Sequence, residues 1–182
     1  MRSTQLKILN HLVLPVTILL LVSSGTAVAQ NPDSSRTLLL QAARELMLGA
    51  GQCALITADN RKQPRVRTMD AFEPDENFIV WLGTNPKSRK VTEIRKNNDV
   101  ILYYADGDNG YVSLYGKAEL VNDASAKAKY WKPEWEAFYP DRDQSYLLIK
   151  VVPSRIEIIS YRHGLHGDPV TWQPHAVDLM KR

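Results

Sequence analysis

Three cations stand where a helix is expected to begin, in the segment Thr-Asn-Pro-Lys-Ser-Arg-Lys at residues 84–90. An apolar run at residues 78–82 precedes this segment and a helical spacing of Val91 and Ile94 follows it, so the pattern predicts a strand, a loop and a helix capped by Ser88. Cations at a helix N-terminus are unfavourable because the unpaired N–H groups there already carry partial positive charge. The segment is either an anion site, with phosphate as the favoured anion, or a solvated basic loop.

An alternating strand pattern begins at Pro64 and places Arg65 and Arg67 on one face. The two arginines either point to solvent, as edge-strand charges that discourage aggregation, or face the start of the helix and join the anion site. On the helix itself, Glu93 is expected outside the apolar stripe, on the solvent side.

The composition excludes several classes of protein. Residues 1–29 have the pattern of a secretory signal, with Arg2 and Lys7 before an apolar stretch and a small-residue cleavage site that ends at Ala29. The interrupted apolar stretch is too short for a membrane anchor, so we expect cleavage after Ala29 and export to the periplasm or the medium. Of the 23 basic residues, 21 remain without Arg2 and Lys7, and they nearly balance the 20 acidic ones, which argues against a nucleic-acid partner.

Residues 30–182 have the size of one domain. Cys53 is the only cysteine, so no intrachain disulfide can form, and its apolar neighbours predict a core position.

Strands are expected at residues 53–58, 64–70, 78–82, 100–105, 111–121, 146–152 and 155–160, and helices at residues 33–48, 88–98 and 123–131. Asp33 or Ser34 is expected to cap the first helix, and Gly116 is expected at a bend or a bulge. Such a succession of antiparallel strands favours a small closed barrel over a βαβ fold.

Two stretches toward the C-terminus carry residues that could bind ligands. The aromatic-rich passage from Tyr130 to Tyr139 is interpreted as the cover of a barrel end or a dimer contact, in preference to a ligand box. The tail at residues 160–182 is predicted to be irregular. It carries His163, His166 and His175, and because its glycines argue against a helix no metal site is expected.

Several motifs follow one another in a recognisable order: Gln63–Met69, Gly83–Asn85 with Ser88–Lys90, Asn97–Val100 and Tyr111–Glu119. Together they resemble the pyridoxamine 5'-phosphate oxidase-like FMN-binding split barrels. The run Trp131–Trp135 with Phe138–Pro140 further resembles the general-stress-protein branch of that family. The resemblance extends over about residues 35–160.

The resemblance implies a mainly β fold, a six-stranded antiparallel split β-barrel with flanking helices, which forms a homodimer with FMN at the subunit interface. In that family the flavin phosphate is held at the positions matched by Arg67, Ser88, Arg89 and Lys90. The remaining matched positions contact the flavin ring or its ribityl chain. They are Thr68 and Met69 along the ring, Gly83 and Thr84 beside the ribityl chain, and Tyr111 where the oxidases carry a glutamine.

Two departures limit the function that the resemblance implies. Phe72 stands where the oxidases carry the lysine for the substrate phosphate, and no clear Arg-x-His element follows Tyr161. We therefore expect an FMN-dependent oxidoreductase for an unidentified small molecule, without catalytic acids or bases of its own, rather than a true pyridoxamine phosphate oxidase. The alternatives are a non-enzymatic flavin- or haem-binding split barrel, with a tail histidine as iron ligand, and a structural dimer without a cofactor.

Overall fold

The computed structural model describes residues 32–179; the predicted signal at residues 1–29 lies outside this part of the chain. The helices are α1 (Pro32–Ala50), α2 (Arg89–Lys96), α3 (Ala124–Lys129) and α4 (Arg142–Ser145). The strands are β1 (Gln52–Ala58), β2 (Pro64–Asp70), β3 (Val80–Thr84), β4 (Asp99–Ala105), β5 (Gly110–Val121), β6 (Leu147–Ser160) and β7 (His175–Asp178). Within residues 32–179, no helix has the length and apolar character needed to cross a membrane.

One antiparallel sheet curls on itself to form the barrel. Its six main strands pair in the order β2-β1-β4-β5-β6-β3, and β7 pairs with β6. A bridge between Ala71 and Leu82, with a 2.9 Å hydrogen bond from the Phe72 N–H to the Trp81 carbonyl, brings the end of β2 back to β3. The predicted six-stranded antiparallel split barrel with flanking helices is confirmed.

Helix α1 packs an apolar stripe at helical spacing against the sheet. The stripe consists of Ala42, Ala43, Leu46 and Met47, all almost fully buried. The helix begins at Pro32, slightly before the predicted caps, and ends where Gly51 turns the chain with a φ of 66°. Cys53 is buried as predicted, and that burial raises the pKa of its thiol to about 12.

The two strands predicted at residues 146–152 and 155–160 are one continuous strand, β6. Pro153 was expected to separate them because it cannot donate to a ladder, but it lies opposite Gly116 at a bulge where the register shifts. The bulge at Gly116 was itself predicted and is confirmed. A bulge tolerates the missing N–H, so β6 can pair with β5 on both sides of the proline.

The tail contains regular structure that the sequence did not predict. Strand β7 pairs with the later part of β6, and Val177 is buried opposite Ile156. The Arg155 side chain reaches the Asp178 carboxylate at 3.1 Å across the same pair of strands. Four residues are too few to show the alternation of a strand, so β7 could not be predicted without its partner β6.

The start of β3 was also predicted too early. Phe78 was expected in the strand, but it precedes β3 in a turn with a φ of 61°.

Gly116→Ala tests the close approach of β5 and β6. An added Cβ at this position would lie 2.4 Å from the Val152 carbonyl oxygen, so the strands must separate. We expect the free energy of unfolding in urea to fall by about 1–3 kcal/mol, the usual cost of overpacking. Lys117→Ala, at the neighbouring exposed position, serves as control and should change stability by less than about 1 kcal/mol. An equally small effect of both variants would contradict the packing described here.

Candidate functional site

A buried carboxylate organises the start of α2. Glu93 is 3% exposed, although the helical pattern predicted that it would face solvent. Its Oε2 accepts hydrogen bonds from Thr57 Oγ1 at 2.5 Å and from Arg67 Nη2 at 2.7 Å, and Arg89 Nε lies 3.1 Å from Oε1. The prediction was wrong because a helical pattern does not show that an acid can be buried when its partners, Thr57 and Arg67, come from two strands elsewhere in the chain.

The surroundings of Glu93 keep it ionised. Burial raises the pKa of this carboxyl, but the hydrogen bonds from Thr57 and Arg67, together with the charges of Arg67 and Arg89, outweigh burial, so the pKa lies below its ordinary value. Arg67 and Arg89 share this one anion. The cluster therefore keeps an excess of positive charge next to Lys90.

The two arginines of β2 have different roles. Arg67 is largely buried and also donates to Thr57 Oγ1 at 2.6 Å and to the Leu55 carbonyl at 3.3 Å, which holds it beneath the start of α2. Arg65 instead pairs with Asp59 in the β1–β2 turn, with 2.6 Å between Nη2 and Oδ2. Arg67 therefore faces the start of the helix, and Arg65 points to solvent. Each of the two alternatives predicted for this strand face holds for one of the arginines.

A cavity of about 570 Å³ lies between β2, the end of β3, the start of α2 and the aromatic passage. Its volume is within the range of small-molecule sites. The lining residues are Thr68, Met69, Asp70, Gly83, Thr84, Asn85, Ser88, Lys90, Glu134, Trp135, Phe138 and Tyr139. A larger cavity of about 630 Å³ between β1, β4 and β5 contains none of the predicted flavin-binding residues, so the smaller cavity is the candidate site.

Hydroxyl groups and an ammonium group converge at one end of the smaller cavity. Thr84 Oγ1 lies 3.1 Å from Ser88 Oγ and accepts a 3.2 Å hydrogen bond from Lys90 Nζ. Ser88 occupies the predicted N-cap position, but its side chain makes no capping hydrogen bond, so the prediction of the cap is only half right. Burial and then the charge of Arg67 lower the pKa of the Lys90 ammonium. An anion placed here would relieve that unfavourable charge.

The structure brings together most of the predicted flavin-binding residues. Six line the cavity: Thr68, Met69, Gly83, Thr84, Ser88 and Lys90. Arg67 and Arg89 are beside it, tied to Glu93, and the Arg89 side chain is 69% exposed. Tyr111 is separate from them on β5, with its ring centroid 5.5 Å from that of Tyr103.

The aromatic passage forms one wall of the cavity, a role that the sequence analysis ranked below a barrel cover or dimer contact. Trp135 packs on Gly83 so closely that a Cβ at residue 83 would lie 2.5 Å from its ring. Glycine is therefore needed in β3 to admit the indole. The sequence signal was present in the Trp131–Pro140 motif, but nothing in that motif indicates which strand it covers.

The donor set at the Lys90 end fits the phosphate of FMN. It offers two hydroxyls, an ammonium and the N-terminal end of α2, where the Val91 N–H already donates to the Ser88 carbonyl at 3.1 Å. The cavity continues from there along Thr68, Met69 and Asp70, where a flat ring system could lie.

The tail histidines do not gather into a metal site. His163 Nε2 lies 2.9 Å from Glu45 Oε2, and its Nδ1 lies 2.9 Å from Ser160 Oγ. His166 packs against the Tyr161 ring, with 5.5 Å between the ring centroids. Residues 32–179 contain no group of three or more His, Cys, Asp or Glu side chains that could hold a metal ion.

Glu93→Gln tests the ion cluster. The amide keeps the shape but leaves Arg67 without its anion, so at pH 7 we expect the free energy of unfolding to fall by about 3 kcal/mol. Because the pKa of Glu93 is lowered in the folded state, its contribution is complete above the unfolded pKa of about 4.3 and is lost as pH falls through the folded pKa. The difference between wild type and variant should therefore shrink below about pH 4 in urea unfolding.

The control is Glu119→Gln, which removes an exposed carboxylate paired with Lys150 at 3.2 Å. Its effect at pH 7 should stay below about 1 kcal/mol. A Glu93→Gln effect of the same size at pH 7 and pH 3.5 would contradict an ionised Glu93 at the centre of the cluster.

The chain is similar in sequence to proteins of one known family. The family model described as "Pyridoxamine 5'-phosphate oxidase like" matches residues 40–160. General stress protein 26 of Bacillus subtilis (strain 168) is 27% identical over 103 residues, which make up 54% of this chain and 72% of that protein.

Solved structures with the same fold are similar over most of their length. General stress protein 26 from Bacillus anthracis has a TM-score of 0.58 at 27% identity, covering 66% of this chain and 93% of that one. A protein related to general stress protein 26 from Clostridium acetobutylicum has a TM-score of 0.64 at 21% identity, with coverages of 79% and 95%. A pyridoxamine 5'-phosphate oxidase-related, FMN binding protein from Nostoc punctiforme has a TM-score of 0.52 at 13% identity, with coverages of 79% and 95%. With most of the chain matched by the family model, the protein belongs to the pyridoxamine 5'-phosphate oxidase-like family.

Proposed function

We propose that this protein is an exported, FMN-dependent oxidoreductase that acts on a small molecule and is not a true pyridoxamine phosphate oxidase. The proposal rests on the cavity described above. One end of this cavity contains Thr84, Ser88 and Lys90, next to the Arg67–Glu93 cluster. A relative with the same fold is described as an FMN binding protein, which supports the choice of anion.

In this proposal the protein residues bind and orient the flavin. Lys90 and the two hydroxyls hold the phosphate, and Arg67, fixed by Glu93 and Thr57, adds positive charge from beneath. The backbone at Thr68 and Met69 lies along the ring. Bound FMN would supply the redox chemistry, so no side-chain acid or base is required in the cavity.

The surroundings of Phe72 argue against a phosphorylated vitamin B6 substrate. Its ring contacts Tyr130 and Trp135, with centroid separations of 5.2 and 5.5 Å, in a largely apolar cluster. Lys132 lies 5.1 Å above the same ring, but its ammonium is already paired with Asp70 at 2.5 Å. The position that binds the substrate phosphate in the oxidases therefore offers no uncommitted cation.

We further propose that the active form is a homodimer with FMN at the subunit interface. Tyr111 does not line the cavity of its own chain, so in this proposal it contacts the flavin held by the partner subunit. Val66, on the same strand as Thr68, is 63% exposed and could be covered by that partner. For the haem alternative, His163 is poorly suited as an iron ligand, because both of its ring nitrogens already have partners.

Lys90→Ala tests the phosphate site. Removing one charged donor should weaken FMN binding by about 1.5–3 kcal/mol, which is about 10- to 100-fold in Kd. Lys87→Ala is the matched control, since Lys87 is on the other side of Ser88 and is exposed outside the cavity. Binding is measured by flavin fluorescence in a titration with FMN.

The wild-type absorbance spectrum distinguishes the cofactors. Near-UV and blue flavin bands support the proposal, a Soret band would favour haem, and a protein that binds neither would contradict both. Equal FMN affinities of the Lys90→Ala and Lys87→Ala variants would place the phosphate elsewhere.

Export is tested by the mass of the protein recovered from the periplasmic fraction or the culture medium. If the predicted signal is removed after Ala29, the mature chain begins at Gln30. Replacing Ala27 and Ala29 by bulky residues should cause the precursor to accumulate. A full-length protein that stays in the cytoplasm would overturn the proposed localisation and leave the flavin site unaffected.

A further inference from the structure

The carboxylate of Asp70, at the end of β2, forms hydrogen bonds that hold the aromatic passage from Tyr130 to Tyr139 in place. One oxygen accepts from Lys132 Nζ at 2.5 Å, and the other accepts from the indole N–H of Trp135 at 2.7 Å. The Lys132 ammonium also donates to the Ala71 carbonyl at 3.1 Å. Trp135 is 7% exposed and is packed against Gly83. The passage is therefore held in one place as a wall of the cavity.

This wall presents an apolar ring at the cavity mouth. The N–H groups of Phe138 and Tyr139 both donate to the Trp135 carbonyl, at 2.9 and 3.0 Å, which fixes the backbone that carries the two rings. Phe138 lines the cavity and is nevertheless 73% exposed, whereas Tyr139 is partly buried beside it. An exposed ring on a backbone fixed in this way can stack against a flat ligand.

The charge at this end of the cavity is negative. Glu134 belongs to the same wall and its side chain is exposed there. Among the described residues that line the cavity, the other carboxylate is that of Asp70, which is paired with Lys132, and Lys90 lies beside the hydroxyls at the phosphate end. The two ends of the cavity thus differ, one cationic and hydroxyl-rich, the other aromatic and acidic.

We propose that the aromatic end is the substrate subsite and that it takes a flat, apolar ring compound, uncharged or cationic, in preference to an anionic one. Phe138 and Tyr139 stack on the ring, and Glu134 repels anions. Asp70 acts as a positioning residue, because both of its carboxylate oxygens are engaged by Lys132 and Trp135 of the wall. This inference rests on the proposed flavin function, since the cationic end is then filled by the FMN phosphate.

The test uses three naphthalene probes of similar size whose single substituent is neutral, cationic or anionic, titrated calorimetrically into the FMN-loaded protein. They are 2-naphthylmethanol, 2-naphthylmethylammonium and 2-naphthoate. The neutral and cationic probes should bind at least about tenfold more tightly than the carboxylate. Phe138→Ala should weaken binding of the neutral probe by about tenfold. Glu134→Gln should improve binding of 2-naphthoate alone, by about fivefold.

Trp172→Ala is the matched control, because Trp172 is 80% exposed and does not line this cavity. It should leave all three affinities unchanged. Asp70→Asn should weaken binding of the neutral probe and increase the proteolytic cleavage of residues 130–140. Increased cleavage indicates that the wall has been released, which would not follow if Asp70 acted only by contacting the ligand.

The outcomes separate the two proposals. A protein that takes up no FMN overturns the proposed function and this inference together. An FMN-loaded protein that binds the three probes equally, or whose Phe138→Ala variant binds them like wild type, overturns the inference alone.

Discussion

The site depends on one buried carboxylate, that of Glu93. An ionised acid can be buried only when hydrogen bonds and cations replace the water it loses, and here Thr57 from β1, Arg67 from β2 and Arg89 from α2 supply them. The requirement works in both directions, because Arg67 would be equally costly to bury without its anion. The cluster therefore fixes the first turn of α2 against the barrel and decides where Ser88 and Lys90 lie.

That constraint produces a cavity with two unlike ends. At one end the helix start, two hydroxyls and Lys90 gather beside a cluster in which two arginines share a single carboxylate. At the other end Asp70 holds Trp135 over Gly83, so that rings and an acidic residue form the wall. The first end suits an anionic group, and the second suits a flat ring that carries no negative charge. The barrel supplies the rigid frame, and the function depends on these attached groups.

Much of the fold and part of the site could be predicted from the sequence. Local signals were sufficient for the barrel, the bulge at Gly116 and the strand–loop–helix around Ser88, because turn residues and strand alternation act over a few residues. The sequence failed where the partner is remote in the chain. Glu93 has a solvent-facing pattern but is buried by Arg67 from another element, and β7 exists only because β6 is beside it. The aromatic wall was missed for the same reason, since Asp70 and Trp135 are 65 residues apart.

The central claim is that the cavity recognises the phosphate of a flavin at the start of α2. The measurement that tests it most directly is the ratio of dissociation constants for riboflavin and FMN, which share the ring and ribityl chain and differ only in the phosphate. Two charge-assisted contacts of ordinary strength predict that FMN binds about 100-fold more tightly or better. Equal affinities for the two flavins would contradict the account, because the cations and hydroxyls at the helix start would then contribute nothing to binding.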